Sequence, residues 1–285
     1  MGKDSSIEWT HHTFNAWWGC TRVSPACDFC YAESWAKRVG MDLWGNDKAR
    51  RFFSDAHWRE PLKWNREAEK NQDRRRVFCS SMADVFESRA DLDPIRQRLW
   101  ALIDETPWLD WLLLTKRPQN IIRMAPWGAD WPLNVWIGTT VENQPFARKR
   151  LPHLLKHAAV VRFVSAEPLL GPLDLTPWFS SIERETGNSI NWVIAGGESG
   201  AKARPMNPTW AESLRDQCQA AGVAFHFKQW GHWGPHSGPL PKKVLATSFD
   251  AEPMPHRVYR LGKHVTGRVL AGRTWDEYPL IQAPG

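Results

Sequence analysis

The sequence predicts an α/β protein: a partial (β/α) barrel of about six to seven parallel strands, with a Trp/Arg-rich insertion and an irregular C-terminal cap. Three observations predict it. Short β-rich apolar runs recur, their centres roughly 24 to 35 residues apart, which is the rhythm of strand–helix units. The runs are almost continuously apolar, as strands covered on both faces are. The rhythm stops near residue 230, short of the about 250 residues that a closed eight-fold barrel takes.

In chain order, a first strand is expected near 12–18 and a helix from near Tyr31. Residues 41–74, dense in Trp, Arg and Lys, read as an insertion. Strand runs then follow at RRVFCSS (75–81), DWLLLT (110–115), NVWIGTT (134–140), AVVRFVSA (159–166), NWVIAGG (191–197) and VAFHFKQ (223–229). Residues 94–106 read as a helix, with Asp93 as its cap and Pro94 in its first position. Its Ile95, Leu99, Leu102 and Ile103 fall on one face. The helical pattern of 144–157 is interrupted at Pro152, where a kink or restart is expected. In 208–221, Asn207 caps, Pro208 opens the helix and Gly222 ends it. Residues 1–230 thus form the barrel. The tail, 231–285, lacks the rhythm and reads as an irregular extension packed on it, with a short hairpin around 257–270. Cys79, inside a strand, and Cys218, on an apolar stripe, read as core residues.

The 285 residues are 42% hydrophobic and 24% charged, a folded rather than a disordered composition. The absence of any run of about 18 apolar residues argues against a membrane span. MGKDSSIEWTHH contains no apolar signal core, so the cytoplasm is the expected compartment. The net charge of +6 suits an anionic ligand or nucleic acid. Most of the 19 tryptophans lie in apolar runs such as WLDWLLL and are expected in the core, leaving a few free to stack on bases.

Three of the five cysteines, Cys20, Cys27 and Cys30, are spaced C-x6-C-x2-C. Disulfides are not expected in a reducing compartment. Three readings are open: a structural zinc with His11 or His12 as fourth ligand, a [4Fe–4S] cluster with one open iron, or three unrelated buried thiols. The triplet follows the first expected strand and precedes a helix, which is the catalytic face of barrel enzymes, and this favours the cluster.

GCTRVSPACDFCYA resembles the cluster loop of radical S-adenosyl-L-methionine (SAM) enzymes. In that superfamily three cysteines hold a [4Fe–4S] cluster and an aromatic residue precedes the last of them, here Phe29. The usual C-x3-C-x2-C spacing is three residues shorter in its first gap. Over residues 7–231, segments including FCSSMADVF, LLTKRPQN, VWIGTTVENQ, VRFVSAEPLLGPLDL, WVIAGGESG and FHFKQWG together resemble an uncharacterised three-cysteine-motif family common in phages and prophages. The loop is also similar to that of the spore photoproduct lyase group. These resemblances imply a cluster on Cys20, Cys27 and Cys30, SAM as second cofactor and an electron donor for the cluster. They also imply a nucleic-acid base or nucleotide as substrate, for repair or modification.

Polar residues end nearly every strand run, and together they predict a ligand-lined mouth although each alone reads as a cap or surface residue. The candidates for contact with SAM are Phe29, Ser81, Asp84, Thr115, Lys116, Thr139, Glu142, Ser165, Glu167, Gly196 and Gly197. The resemblance gives Ser81 and Asp84 the amino group. It gives Glu142 or Glu167 the ribose, and Lys116 or Arg117 the carboxylate or a substrate phosphate. The superfamily's GGE motif normally follows the second strand, whereas Gly196-Gly197-Glu198 follows about the sixth, so these glycines are expected to admit adenine. Lys116, Glu198 and Lys228 are candidates for catalysis. The basic stretch 48–76, with Trp58 and Trp64 among its cations, reads either as a nucleic-acid contact or as a solvated helical face. The alternative function is a zinc- or cluster-stabilised nucleic-acid-binding or phage-defence accessory protein that does not cleave SAM.

Overall fold

The structure is a computed structural model that describes residues 3–179, 189–250 and 256–280. The first expected strand is split in two. β1 (His12–Thr13) joins the main sheet, while β2 (Trp17–Trp18) pairs with β3 (Arg51–Phe52) in a short antiparallel ribbon. The main sheet continues with β4 (Arg75–Cys79), β5 (Leu109–Thr115), β6 (Val135–Thr140), β7 (Val161–Ala166), β8 (Trp192–Gly196) and β9 (Ala224–Gln229). These seven strands lie side by side in chain order, all parallel, and curl into a half-barrel.

Alternation along the strands separates two faces. Val77, Leu113, Ile137, Val164, Val193 and Phe225 point to the helix layer and share one large core with it. Phe78, Leu112, Trp136, Phe163, Trp192 and Ile194 fill the concave side together with Trp9. Gly138 is required there, because a Cβ at that position would lie 2.4 Å from the Phe163 ring.

The helices are α1 (Tyr31–Arg38), α2 (Asp55–Trp58), α3 (Glu60–Asn71), α4 (Asp93–Asp104), α5 (Ile121–Met124), α6 (Gln144–Leu154) and α7 (Pro208–Ala221). α3 buries Trp64 and Ala68 in the helix-side core, so residues 41–74 are not a mere insertion: they contain the crossover that leads into β4. α6 runs through Pro152 without restarting and ends at Leu154. α7 has the expected caps, with Asn207 accepting from the Thr209 amide and Gly222 at φ +63°.

The tail is more regular than expected. β10 (Trp233–Gly234), β11 (Ala246–Phe249) and β12 (His256–Arg260) form an antiparallel sheet in the order β10-β12-β11. The hairpin is β11–β12, one strand earlier than the expected 257–270, and a short helix, α8 (Lys263–Thr266), follows it. Beyond α8, the Phe227 amide donates to the Trp275 carbonyl (2.9 Å) and the Glu277 amide to Phe225 (3.2 Å). This pairing covers the otherwise free edge of β9. Among the described residues no helix is long and apolar enough to cross a membrane.

Candidate functional site at the carboxyl rim of the half-barrel

The cysteine loop lies over the carboxyl ends of the strands and is held there by three arginines. The loop starts at Gly19, whose φ of +109° and close approach to the Leu43 carbonyl (2.6 Å from an added Cβ) exclude other residues. A 3-10 turn, Pro25–Cys27, follows, and Cys30 directly precedes α1. Cys20, Cys27 and Cys30 are free thiols with intermediate exposure.

Arg117, just beyond β5, donates to the Thr21 carbonyl (2.7 Å) and to the Cys20 Sγ (3.7 Å). It is itself fixed by Asp84 at 2.8 Å. Asp84 also accepts from the Thr115 hydroxyl (2.6 Å) and from the amides of Phe86 and Lys116 (both 3.0 Å). Burial opposes the charge on Asp84, yet Arg117 and these donors outweigh it and hold the carboxyl below its ordinary range. Burial pushes the Cys20 thiol up to about 12.

Arg204 secures the middle of the loop. It pairs with Glu198 through Nε (2.9 Å) and NH2 (2.6 Å), donates to the Pro25 carbonyl (2.9 Å), and lies 5.0 Å over the Phe29 ring. Arg50, its side chain fully buried, joins Glu87 (2.8 and 3.0 Å) to the Thr21 hydroxyl (3.0 Å) and to the carbonyls of Leu43, Gly45 and Lys48. Charged donors held by buried carboxylates make rigid anchors.

The strand ends are arranged differently from the expected mouth. Thr115 and Thr139 fall on the helix side. Thr115 donates to Asp84 and Thr139 to the Thr115 carbonyl (2.8 Å), so neither faces the concave side. Thr140 does, in register with Ser165. Thr140 Oγ1 and Glu142 Oε1 are buried with no hydrogen-bond partner among the described residues. The other Glu142 oxygen binds Arg150 at 2.7 Å, and Arg150 also donates to the Thr140 carbonyl (2.9 Å). Ser165 reaches Glu167 (3.4 Å), whose other oxygen pairs with Lys228 at 3.1 Å. Ser81 accepts from Asn15 (3.0 Å), and the Tyr31 hydroxyl donates to the Ser81 carbonyl (2.8 Å).

The glycines admit protein atoms. A Cβ on Gly196 would lie 2.9 Å from Glu167 Oε1, and one on Gly197 would lie 1.9 Å from the Trp230 carbonyl. Gly197 thus lets the loop after β8 cross the end of β9.

His11 and His12 are not brought to the cysteines. β1 pairs His12 with Val77 in the middle of β4, where the His12 ring stacks on Trp64 (centroids 4.6 Å), and the Arg76 amide donates to His11 Nδ1 (2.9 Å), which sets His11 at the opposite, amino rim. Apart from Arg50, which anchors the cysteine loop, the basic stretch is not gathered at the mouth. Arg75 and Arg76 open β4 at that same amino rim, and Arg74 pairs with Asp110 at 2.5 Å. Trp58 and Trp64 are 4% and 3% exposed and cannot stack on a base. Among the described residues no group of three or more His, Cys, Asp or Glu is arranged as a metal site.

A family model described as "Protein of unknown function (DUF5131)" matches residues 4–279. The chain belongs to the DUF5131 family. The DUF5131 match runs past residue 231, so it takes in the antiparallel tail sheet and the segment that covers β9 as well as the cysteine loop. No curated protein and no solved structure matches the chain. The likeness of the cysteine loop to radical SAM enzymes is carried by neither the DUF5131 match nor these searches.

Several residues of the rim were not legible as site residues. Counting the alternation from Leu113 puts Thr115 and Thr139 on the helix side and selects Thr140 instead. Arg50 was read only as part of the basic stretch, and Arg150 gave no signal, because an arginine in a charged or helical stretch reads as surface.

Proposed function

We propose that this chain is a radical SAM-type iron–sulfur enzyme acting on a nucleic-acid base or nucleotide. The observation that carries the reading is the loop of three free thiols, anchored by Arg50, Arg117 and Arg204 over the carboxyl rim of a parallel half-barrel. In open α/β sheets that rim is where ligands bind.

Three thiols on one loop are the donor type of a [4Fe–4S] cluster with one open iron, although among the described residues they are not drawn together as a metal site. The histidines that would complete a zinc site are engaged elsewhere, His11 by the Arg76 amide and His12 against Trp64. Cations face the sulfurs, as an anionic cluster requires: Arg117 donates to Cys20, and the field of Lys116 reaches Cys30. When bound, the cluster supplies the electron that cleaves SAM to a 5′-deoxyadenosyl radical. The protein's own part is to hold and orient. Cys20, Cys27 and Cys30 are the ligands. Thr140 Oγ1 and Glu142 Oε1 offer unpartnered buried oxygens for the polar groups of SAM, and the Glu167–Lys228 pair stands beside them on the concave rim. Asp84 and Glu198 act through the arginines they fix and are positioning residues.

The test is anaerobic purification with iron and sulfide analysis, followed by SAM and dithionite. About four irons per chain and release of 5′-deoxyadenosine are expected. Loss of iron in Cys20→Ala, Cys27→Ala and Cys30→Ala should accompany loss of product. One zinc per chain, or a cluster that never cleaves SAM, overturns the reading and leaves an accessory or nucleic-acid-binding protein.

A further inference from the structure

The tail sheet carries an excess of positive charge. Residues 231–270 hold Lys242, Lys243, Arg257, Arg260, Lys263 and Arg268 against only Asp250 and Glu252. Lys242, Lys243, Arg257 and Lys263 are exposed, as is Lys202 on the loop beneath them. None of these five forms an ion pair with a described residue. On α3, by comparison, Lys63 pairs with Glu60, while Arg66 and Lys70 are exposed and unpaired among the described residues but alternate with Glu67 and Glu69.

The sheet is tied to the cysteine loop by a short chain of contacts. The His232 amide donates to the Glu198 carbonyl (3.0 Å), Trp233 Nε1 to Ala203 (2.7 Å), and Arg260 to Ala201 (2.6 Å). Glu198 in turn holds Arg204, which reaches Pro25 in the cysteine loop. His232 lies within the positive fields of Arg260 and Lys263, so these cations gather at one place. Two half-buried aromatics belong to the sheet: Tyr259 shares a face with the exposed Arg257, while Trp233 pairs with Arg260 on the other face, where both donate to the 201–203 loop.

We propose that this antiparallel tail sheet, with Lys202 and α8, is a binding surface for single-stranded nucleic acid that leads a base to the carboxyl rim. Unpaired cations attract phosphates, and partly exposed aromatic faces accept bases whatever their sequence. A single strand fits better than a duplex, because a base bound for a recessed site has to leave its stack. The inference rests on the enzyme reading for the site it serves, while the surface itself needs no cluster.

The experiment is fluorescence anisotropy with a labelled single strand of about 20 nucleotides, as DNA and as RNA, from about 50 to 200 mM salt. The chain with its tail intact is compared with the triple variant Lys202→Gln, Arg257→Gln, Lys263→Gln and with a control, Arg66→Gln, Lys70→Gln on α3. The unaltered chain binds at low salt. The triple variant weakens binding at least about tenfold and lowers the slope of log K against log salt by about 2, while the control changes little. Circular dichroism confirms that each variant is folded. Absence of binding by the unaltered chain, equal binding by the triple variant, or binding to anionic lipid vesicles in place of oligonucleotide overturns the proposal. Iron content and 5′-deoxyadenosine yield are read separately on the same preparations. A failed cluster with salt-dependent, tail-dependent binding sinks the enzyme reading alone, and the reverse pattern sinks the surface alone.

Discussion

Asp84 accepts hydrogen bonds from Thr115, Phe86, Lys116 and Arg117 while buried, so its two oxygens have no capacity to spare. Removing its charge leaves the buried Arg117 guanidinium with only the more distant Glu87 (3.9 Å) as a counter-ion. Asp84→Asn is therefore expected to cost about 3–5 kcal/mol in urea unfolding at neutral pH. The carboxyl titrates below its ordinary 3.8 in the folded chain, so the stabilisation is present above 3.8 and fades as pH falls through the lower folded-state value. The difference between the chain and its Asn variant thus narrows below that pH. Gly197→Ala forces a methyl to within 1.9 Å of the Trp230 carbonyl, and a loss of about 3 kcal/mol is expected by the same assay. At this scale sequence was a partial guide. Asp84, Glu142 and Glu167 were legible because polar residues end nearly every strand run, although each alone reads as a cap or surface residue. The orientation of Thr139 against Thr140 was not, because it depends on where the alternation is counted from, and strand ends are the least certain places to count.

Among the elements, the six apolar runs from 75–81 to 223–229 became β4 to β9 with their ends shifted by only a residue or two, since a strand buried on both faces leaves an unbroken apolar signature. β1 has two residues and no such run, so its separation from β2 was illegible. The segment that covers β9 was equally hidden: Trp275, Asp276 and Glu277 have no strand pattern, and only the free edge of β9 recruits them. Trp275 is 8% exposed and packs on Phe225 with ring centroids 6.0 Å apart. Trp275→Ala is expected to destabilise by about 3–5 kcal/mol. Truncation before Arg273 bares the β9 edge, and light scattering should show concentration-dependent aggregation that the intact chain lacks.

For the molecule as a whole, an open half-barrel exposes its concave side, and here the two ends of the chain close it. Trp9 and Tyr278 pack against Trp192 at 6.2 and 5.3 Å between centroids, and the Tyr278 hydroxyl donates to the Glu8 carbonyl (3.2 Å). Closure buries histidines. Burial, aided by neighbouring cations, lowers His11, His157 and His226 from 6.5 to about 4. Between those values the unfolded chain binds protons that the folded chain refuses, so stability is full above 6.5 and falls on acidification toward 4. The urea midpoint should drop across that interval, and His226→Gln should flatten the drop. The cysteine loop carries one more consequence, an optical one. Trp18 and Trp35 flank it and meet edge to face at 5.1 Å. An iron–sulfur chromophore absorbs across the band in which indoles emit, so energy transfer would quench these two first as iron is loaded. Replacing both with Phe would remove much of that quenching, and the rim would report its own occupancy in a simple emission scan, with no substrate known.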